Sequence, residues 1–267
     1  MITAEKYLEI DNDSWNTRPA TYLNSNSPER EVFLQGSSLN EIELNLLGSL
    51  TGKNVLHLSC CCGQDTLSLS RLGAQVTGVD TCEMAINQAR LLAKKTAGKA
   101  NFICTDWHNL LQHLTQRFDV IFTSYGTISR LPDLGKWAEI ISQLLKPGGQ
   151  LVLVEFHPII GMFNESFNNI ISYNYFNTSA FTPSENTSYA NRINPNSQES
   201  VSWNHSISEV LNSLLKNGLE INSFDEFDYS PYYCFKETIE VEPRKYRIKH
   251  LDNKIPMVYA VSATKKE

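Results

Sequence analysis

Residues 55–65 read Val55-Leu56-His57-Leu58-Ser59-Cys60-Cys61-Cys62-Gly63-Gln64-Asp65: an apolar-rich strand, a tight loop of small residues and the start of a helix. A strand that enters a helix through such a loop places the loop at the carboxyl end of a parallel sheet, where open α/β sheets take their ligands. Seventeen residues after Gly63, Gly78-Val79-Asp80 closes a second apolar run. A carboxylate there can accept both hydroxyls of a ribose, so the spacing predicts a nucleoside-binding loop. A dinucleotide would need the G-x-G-x-x-G turn for close approach of its pyrophosphate. This loop offers one glycine, with Ser59 and Cys61 at the other small positions.

Outward from that loop, short apolar runs alternate with helical periodicity, the pattern of a parallel sheet covered on both faces. Strands are expected over Asn54 to Leu58, Gln75 to Val79, Asn101 to Thr105, Phe118 to Thr123 and Gln150 to Phe156. Helices are expected over Asp65 to Leu72, Cys82 to Lys95 and Leu134 to Leu145, the last stopped by Lys146-Pro147-Gly148-Gly149. A later helix over Ser206 to Lys216, with Gly218 beyond it, leads into a sixth strand, Leu219 to Phe227. Two further runs follow, Tyr246 to Ile248 and Met257 to Ala263, the second placed to return as a final antiparallel strand. The expected fold is α/β, a doubly wound (Rossmann-like), seven-stranded, mostly parallel sheet. Residues 1–50, with a helical stretch from Leu39 to Leu47, read as an N-terminal helical cap. Residues 51–267 read as the sheet domain, with a lid insertion over about 159–203. That insertion holds few charges and many aromatics without a period of 2 or 3.6, so a long loop with short elements is expected.

The chain has 267 residues, 41% of them apolar and 19% charged, which excludes a disordered or fibrous class. With 23 Lys and Arg against 29 Asp and Glu, the net charge is −6, and no overall positive field exists to hold nucleic acid. No run approaches the length of a membrane span and residues 1–15 lack the charge pattern of a leader, so a cytoplasmic protein without membrane contact is expected. The six cysteines read as free thiols, because Cys60, Cys61 and Cys62 are consecutive. No CxxC or histidine pair completes a tetrahedron, so no metal is expected.

In order and spacing, these motifs resemble the class I S-adenosylmethionine-dependent methyltransferases from about Asn54 to Pro158. The phrases LHLxCxxGQD and FTSYGTI look like a bacterial small-molecule-type subgroup. The resemblance implies S-adenosylmethionine as cofactor. It puts His57, Ser59, Cys61 and Gly63 at the signature of an acidic residue followed by alternating glycines. It assigns the ribose to Asp80, the adenine amine to Asp106 and the face of the adenine to Trp107, with Thr81 and Ser124 as further contacts. The fourth-strand phrase FDVIFTSYGTISRL and the LKPGG turn also agree. His57 stands where the family carries an acid that helps hold the cofactor's ammonium, and Asp65, just past the loop, is the substitute.

Methyl transfer from a sulfonium is an in-line displacement that depends chiefly on positioning. A hydroxyl or protonated amine acceptor must lose a proton, and histidine is the usual base near neutrality. His157, after the fifth strand, and His205, after the lid, are the candidates, each with an equally weighted structural alternative. Tyr125, in the loop after the fourth strand, is expected near the methyl group. Glu155 is either a substrate ligand or a carboxylate satisfied by backbone donors. Trp15 and Tyr22, with the lid aromatics Phe163, Phe167, Tyr173, Tyr175, Phe176, Phe181 and Tyr189, are expected to cover the site, most of them as packing. The expected acceptor is a nitrogen or oxygen of a small molecule. The alternatives are a peptide or protein side chain, and a cofactor-binding relative without turnover.

Overall fold

The computed structural model describes Phe33, residues 36–164, Phe167, residues 170–181, residues 201–233 and residues 235–267. Trp15, Tyr22, Tyr189 and Cys234 lie outside the described residues, as do most of the expected cap and much of the expected lid.

The elements follow in chain order. Helix α1 (Glu41–Leu47) begins at Asn40 and leads to β1 (Asn54–Leu58). Next come α2 (Gln64–Arg71), β2 (Gln75–Asp80), α3 (Glu83–Thr96), β3 (Ala100–Cys104), a single turn α4 (Leu110–His113) and β4 (Phe118–Ser124). Helix α5 (Leu134–Leu144) and β5 (Leu145–Phe156) close the first half. Two short strands, β6 (Asn177–Phe181) and β7 (Ser202–Asn204), pair antiparallel, and α6 (Ile207–Lys216) precedes β8 (Leu219–Phe227). A hairpin of β9 (Thr238–Glu242) and β10 (Lys245–Ile248) stands before β11 (Val258–Lys265).

Seven strands form one sheet in the order β3-β2-β1-β4-β5-β11-β8, and β11 runs antiparallel to both neighbours. The strand order therefore reverses between β1 and β4, which opens a crevice at their carboxyl ends. Strand periodicity divides the core. Leu56, Leu58, Ile121, Leu151 and Leu153 face α5 and α6, where Trp137, Ile141, Val210 and Leu214 are buried. Val55, Val120, Phe122, Val152 and Val154 face the opposite way, toward Leu39, Ile42 and Leu47 of the α1 region and Leu69 of α2. A side chain every second residue on each face is what a sheet buried on both sides requires.

Helix ends are set by local donors and acceptors. Cys82 Sγ accepts from Ala85 N at 3.4 Å at the start of α3, Asp133 Oδ1 from Lys136 N at 2.9 Å at the start of α5, and Ser206 Oγ from Glu209 N at 3.2 Å at the start of α6. One boundary differs from expectation. Strand β5 begins at Leu145, directly after α5, because Phe118 pairs with Leu145 and Val120 with Gln150, so residues 146–149 form a bulge opposite Asp119. Asp119 holds that bulge by accepting from Lys146 Nζ at 2.7 Å and Asn54 N at 2.8 Å. The run Tyr246 to Ile248 joins no main sheet; it is half of the β9–β10 hairpin.

Candidate functional site

The loop after β1 is wound by alternation. Ser59, Cys61 and Gly63 have φ of 53°, 47° and 82°, all left-handed. Only Gly63 could hold that backbone without a side chain in the way, and it must. A Cβ there would lie 2.8 Å from Ala89 Cβ and 2.9 Å from the Phe102 ring. The winding turns Cys61 N toward the end of β2, where it donates to Asp80 Oδ2 at 2.9 Å, while Cys82 N donates to Asp80 Oδ1 at 2.9 Å. Each Asp80 oxygen thus keeps one lone pair beyond its backbone bond.

A pocket opens at this point, at the β1/β4 crevice. Ser59, Asp80, Thr81 and Trp107, four of the residues named from the sequence, line it over an apolar wall that includes Leu58, Val79 and Trp137. Thr81 Oγ1 and Trp107 Nε1 are buried there without any hydrogen-bond partner. Buried polar atoms normally have partners, so these two fit a ligand with polar edges, as does Asp80 with its spare lone pairs. Sequence reasoning missed Arg130, which also lines the pocket. It ties two loops together, donating to Gly126 O at 3.2 Å and Ser59 Oγ at 3.3 Å. Its only sequence signal is its position just beyond β4.

Other predicted residues lie elsewhere. Asp106 turns its carboxylate into its own 3-10 turn, accepting from Asn109 N at 3.0 Å and Asn109 Nδ2 at 2.8 Å. Ser124 ends β4, and its carbonyl accepts from Thr127 Oγ1 at 2.9 Å. Glu155 takes the second of its two readings. It is buried and accepts from Gly126 N (2.6 Å), Ile128 N (3.0 Å) and Phe156 N (2.8 Å), fixing the loop after β4. Burial pushes its carboxyl up against the pull of those donors.

His157 and His205 are both buried, and neither lines the pocket. His157 Nε2 lies 2.9 Å from Glu226 Oε1 on β8, and its Nδ1 accepts from Ile159 N at 3.2 Å. Burial holds its pKa below the usual imidazole range despite Glu226. His205 Nε2 meets the Leu131 carbonyl at 2.7 Å, and Nδ1 lies 3.0 Å from Glu209 Oε1. His157 is thus held from both ring nitrogens, whereas His205 is held through Nε2, which braces a residue of the pocket wall, while its buried Nδ1 makes no hydrogen bond.

On the other face of the sheet a second polar group gathers. His57 donates or accepts at Thr66 Oγ1 (2.8 Å), and burial alone pushes its pKa down to about 3. Asp65 accepts from Ser38 Oγ at 2.5 Å, and burial raises its carboxyl. Tyr125 packs against Phe156 and edge-on against Tyr232, with ring centroids 5.2 and 5.1 Å away. Glu43, which carried no sequence signal beyond its place on α1, lies with Asp65 and Tyr125; burial and the Asp65 charge raise it to about 7.

Comparison with known proteins bears on the family and the fold. A family model described as a methyltransferase domain matches residues 49–213. The ubiquinone biosynthesis O-methyltransferase of Nitrobacter winogradskyi is 28% identical over 150 residues, covering 55% of this chain and 56% of that protein. The chain thus spans about half the length of the curated relatives it matches. Among solved structures, a Listeria monocytogenes protein provisionally identified as an S-adenosylmethionine-dependent methyltransferase superposes with a TM-score of 0.62 at 17% identity, over 90% of this chain and 98% of that one. An S-adenosylmethionine-dependent methyltransferase from Mesorhizobium loti gives 0.57 at 22% identity, over 83% and 94%. At these identities the likeness is one of fold.

Proposed function

The chain belongs to the methyltransferase-domain family, and from that premise we propose that it is an S-adenosylmethionine-dependent methyltransferase acting on a nitrogen or oxygen of a small-molecule acceptor. The observation that carries this reading is the pocket at the β1/β4 crevice, where Asp80, Thr81 and Trp107 present uncommitted polar atoms beside a left-handed loop. S-adenosylmethionine supplies a methyl group already activated on a sulfonium, so the protein need not provide a nucleophile.

The chain's residues then divide the work. Asp80 offers its spare lone pairs to ribose hydroxyls, and Thr81 and Trp107 offer their unpaired atoms to the polar edge of the nucleoside. The left-handed backbone at Ser59, Cys61 and Gly63 keeps side chains from blocking the approach. Leu58, Val79 and Trp137 exclude water from the walls. Arg130 keeps the loops after β1 and β4 in register. The name of the Nitrobacter relative supports a small hydroxylic acceptor within this class.

Two measurements test the reading. Calorimetry with S-adenosylmethionine and S-adenosylhomocysteine should show binding of both. Incubation with methyl-labelled donor and a metabolite extract should then place label in molecules that pass a small-pore filter. No heat with either compound sinks the cofactor assignment, and label held only by polypeptides shifts the acceptor class to proteins.

A further inference from the structure

The three consecutive cysteines of the loop after β1 divide between two packing groups and a backbone role. Cys62 is 1% exposed and packs with Cys82 and Ala85 at the start of α3. Cys60 is 3% exposed. Its N–H donates to the Val79 carbonyl at 2.9 Å, its carbonyl accepts from Gly63 N at 3.0 Å, and a Cβ on Gly78 would lie 3.0 Å from its sulfur. Burial pushes the Cys60 thiol up, so it sits there as a small uncharged side chain. Between these two anchors Cys61 turns its N–H to Asp80. The direction of that N–H therefore depends on how its neighbours are seated.

The seat of Cys60 is closed by a residue from the segment ahead of α1. Phe33 is wholly buried, in one apolar cluster with Cys60, Leu67 of α2, Ile86 and Ala89 of α3 and Phe102 of β3. Arg71, the last residue of α2, holds it in place. The guanidinium lies over the Phe33 ring, 4.1 Å from its centroid, and Nη1 donates to the carbonyls of Phe33 (2.8 Å) and Gly36 (2.5 Å). The same cluster reaches the glycine that ends the loop, since Ala89 and Phe102 are what a Cβ on Gly63 would strike.

Left-handed backbone at Ser59 and Cys61 persists where the surroundings over-determine it. Cys60 lies between those two residues, so a hole in its cluster gives the loop a way to relax. Removing the Phe33 ring would leave such a hole, because packed side chains collapse into a void only in part. Relaxation would swing the Cys61 N–H off Asp80 and free the carboxylate to turn.

We propose that Phe33 is a positioning residue for the nucleoside, acting through Cys60 on the Cys61 N–H and the Asp80 carboxylate. Phe33 itself does not line the pocket. The inference rests on the methyltransferase reading only for the identity of that nucleoside.

The test compares the full chain with Phe33→Ala, Phe33→Leu, Arg71→Gln and Ile248→Ala, the last in a buried cluster that contributes no residue to the pocket wall. The readouts are calorimetric affinity for S-adenosylhomocysteine and hydrogen exchange of the Cys61 amide in the ligand-free protein, referenced to Val152 in β5. Phe33→Ala should weaken S-adenosylhomocysteine at least tenfold and speed Cys61 exchange at least tenfold. Phe33→Leu, which refills most of the hole, should bring both within threefold of wild type. Ile248→Ala should lower the melting temperature and leave both within threefold. A Phe33→Ala protein that melts lower yet keeps its affinity has lost packing alone and overturns the proposal. An equal effect of Ile248→Ala, or a leucine as poor as the alanine, overturns it too. If Phe33→Ala does not fold, Arg71→Gln decides: a shift of threefold or more in both readouts upholds the proposal, and no shift overturns it. A wild type that takes no S-adenosylhomocysteine sinks the methyltransferase reading and leaves Cys61 exchange to decide. Faster exchange in Phe33→Ala then upholds the positioning of that N–H, and unchanged exchange overturns it.

Discussion

Ser59 and Cys61 hold left-handed backbone that costs a side-chain-bearing residue about 1 to 2 kcal/mol, whereas Gly63 holds it freely. Cys61→Gly trades that strain against a more flexible unfolded chain and should change stability by less than about 1 kcal/mol in urea titration. Gly63→Ala adds strain and drives a methyl into Ala89 and Phe102, so it should cost roughly 2 to 5 kcal/mol. Asp80→Ala should weaken S-adenosylhomocysteine about ten- to a hundredfold by calorimetry, the worth of roughly 1.5 to 3 kcal/mol of bonding to a charged group. Two buried groups set the pH response. Glu43, raised from 4.5 to about 7, favours folding fully below pH 4.5, an advantage lost as pH rises through 7. His57, lowered from 6.5 to about 3, favours folding above pH 6.5, an advantage lost as pH falls through 3. Each is worth on the order of 3 to 5 kcal/mol, and between pH 4.5 and 6.5 they oppose one another. Wild-type melting temperature should be nearly level in that window, and Glu43→Gln should make it climb with pH. A level profile in the variant would show that Glu43 does not titrate there.

At the scale of elements, what was legible in the sequence is what alternates. The strands β1, β2, β4 and β5 are buried over most of their length on both faces and β3 anchors the edge through Phe102, each carrying a short apolar run between polar or glycine-rich turns, so composition and punctuation mark them. The β9–β10 hairpin was only half visible, because Thr238–Glu242 buries just Thr238 and shows no contrast between faces. In the pocket, Ser59, Asp80, Thr81 and Trp107 were legible because their spacing from one loop to the next is local. Arg130, Glu43 and the partners of the histidines were not, since nothing in a sequence window pairs His205 with a carbonyl 74 residues away. The same pairings carry a prediction. His157→Asn and His205→Asn remove contacts that tie the ends of β5 and α6 to their neighbours, and each should destabilise by about 1 to 3 kcal/mol. Turnover per folded molecule should stay within about threefold of wild type, and a loss of a hundredfold in a folded variant would restore the catalytic reading of that histidine.

For the molecule as a whole, β11 is the keystone of one half of the sheet. It lies between β5 and β8, pairs with both, and buries Val258, Tyr259 and Val261. Those three side chains contribute about 1.5 to 3 kcal/mol each, which together approaches the whole stability of an ordinary domain. Deleting residues 258–267 should therefore abolish cooperative unfolding, read as loss of the thermal transition and of dispersed amide resonances. The position of β11 also imposes a schedule on biosynthesis. The ribosome completes β8 before it makes the strand that must separate β8 from β5, so the nascent chain emerges with two strand edges unsatisfied and the gap between them open. Such edges attract other chains. Slow translation through residues 228–257 would lengthen that exposure, and holding chaperones should find their target in this interval.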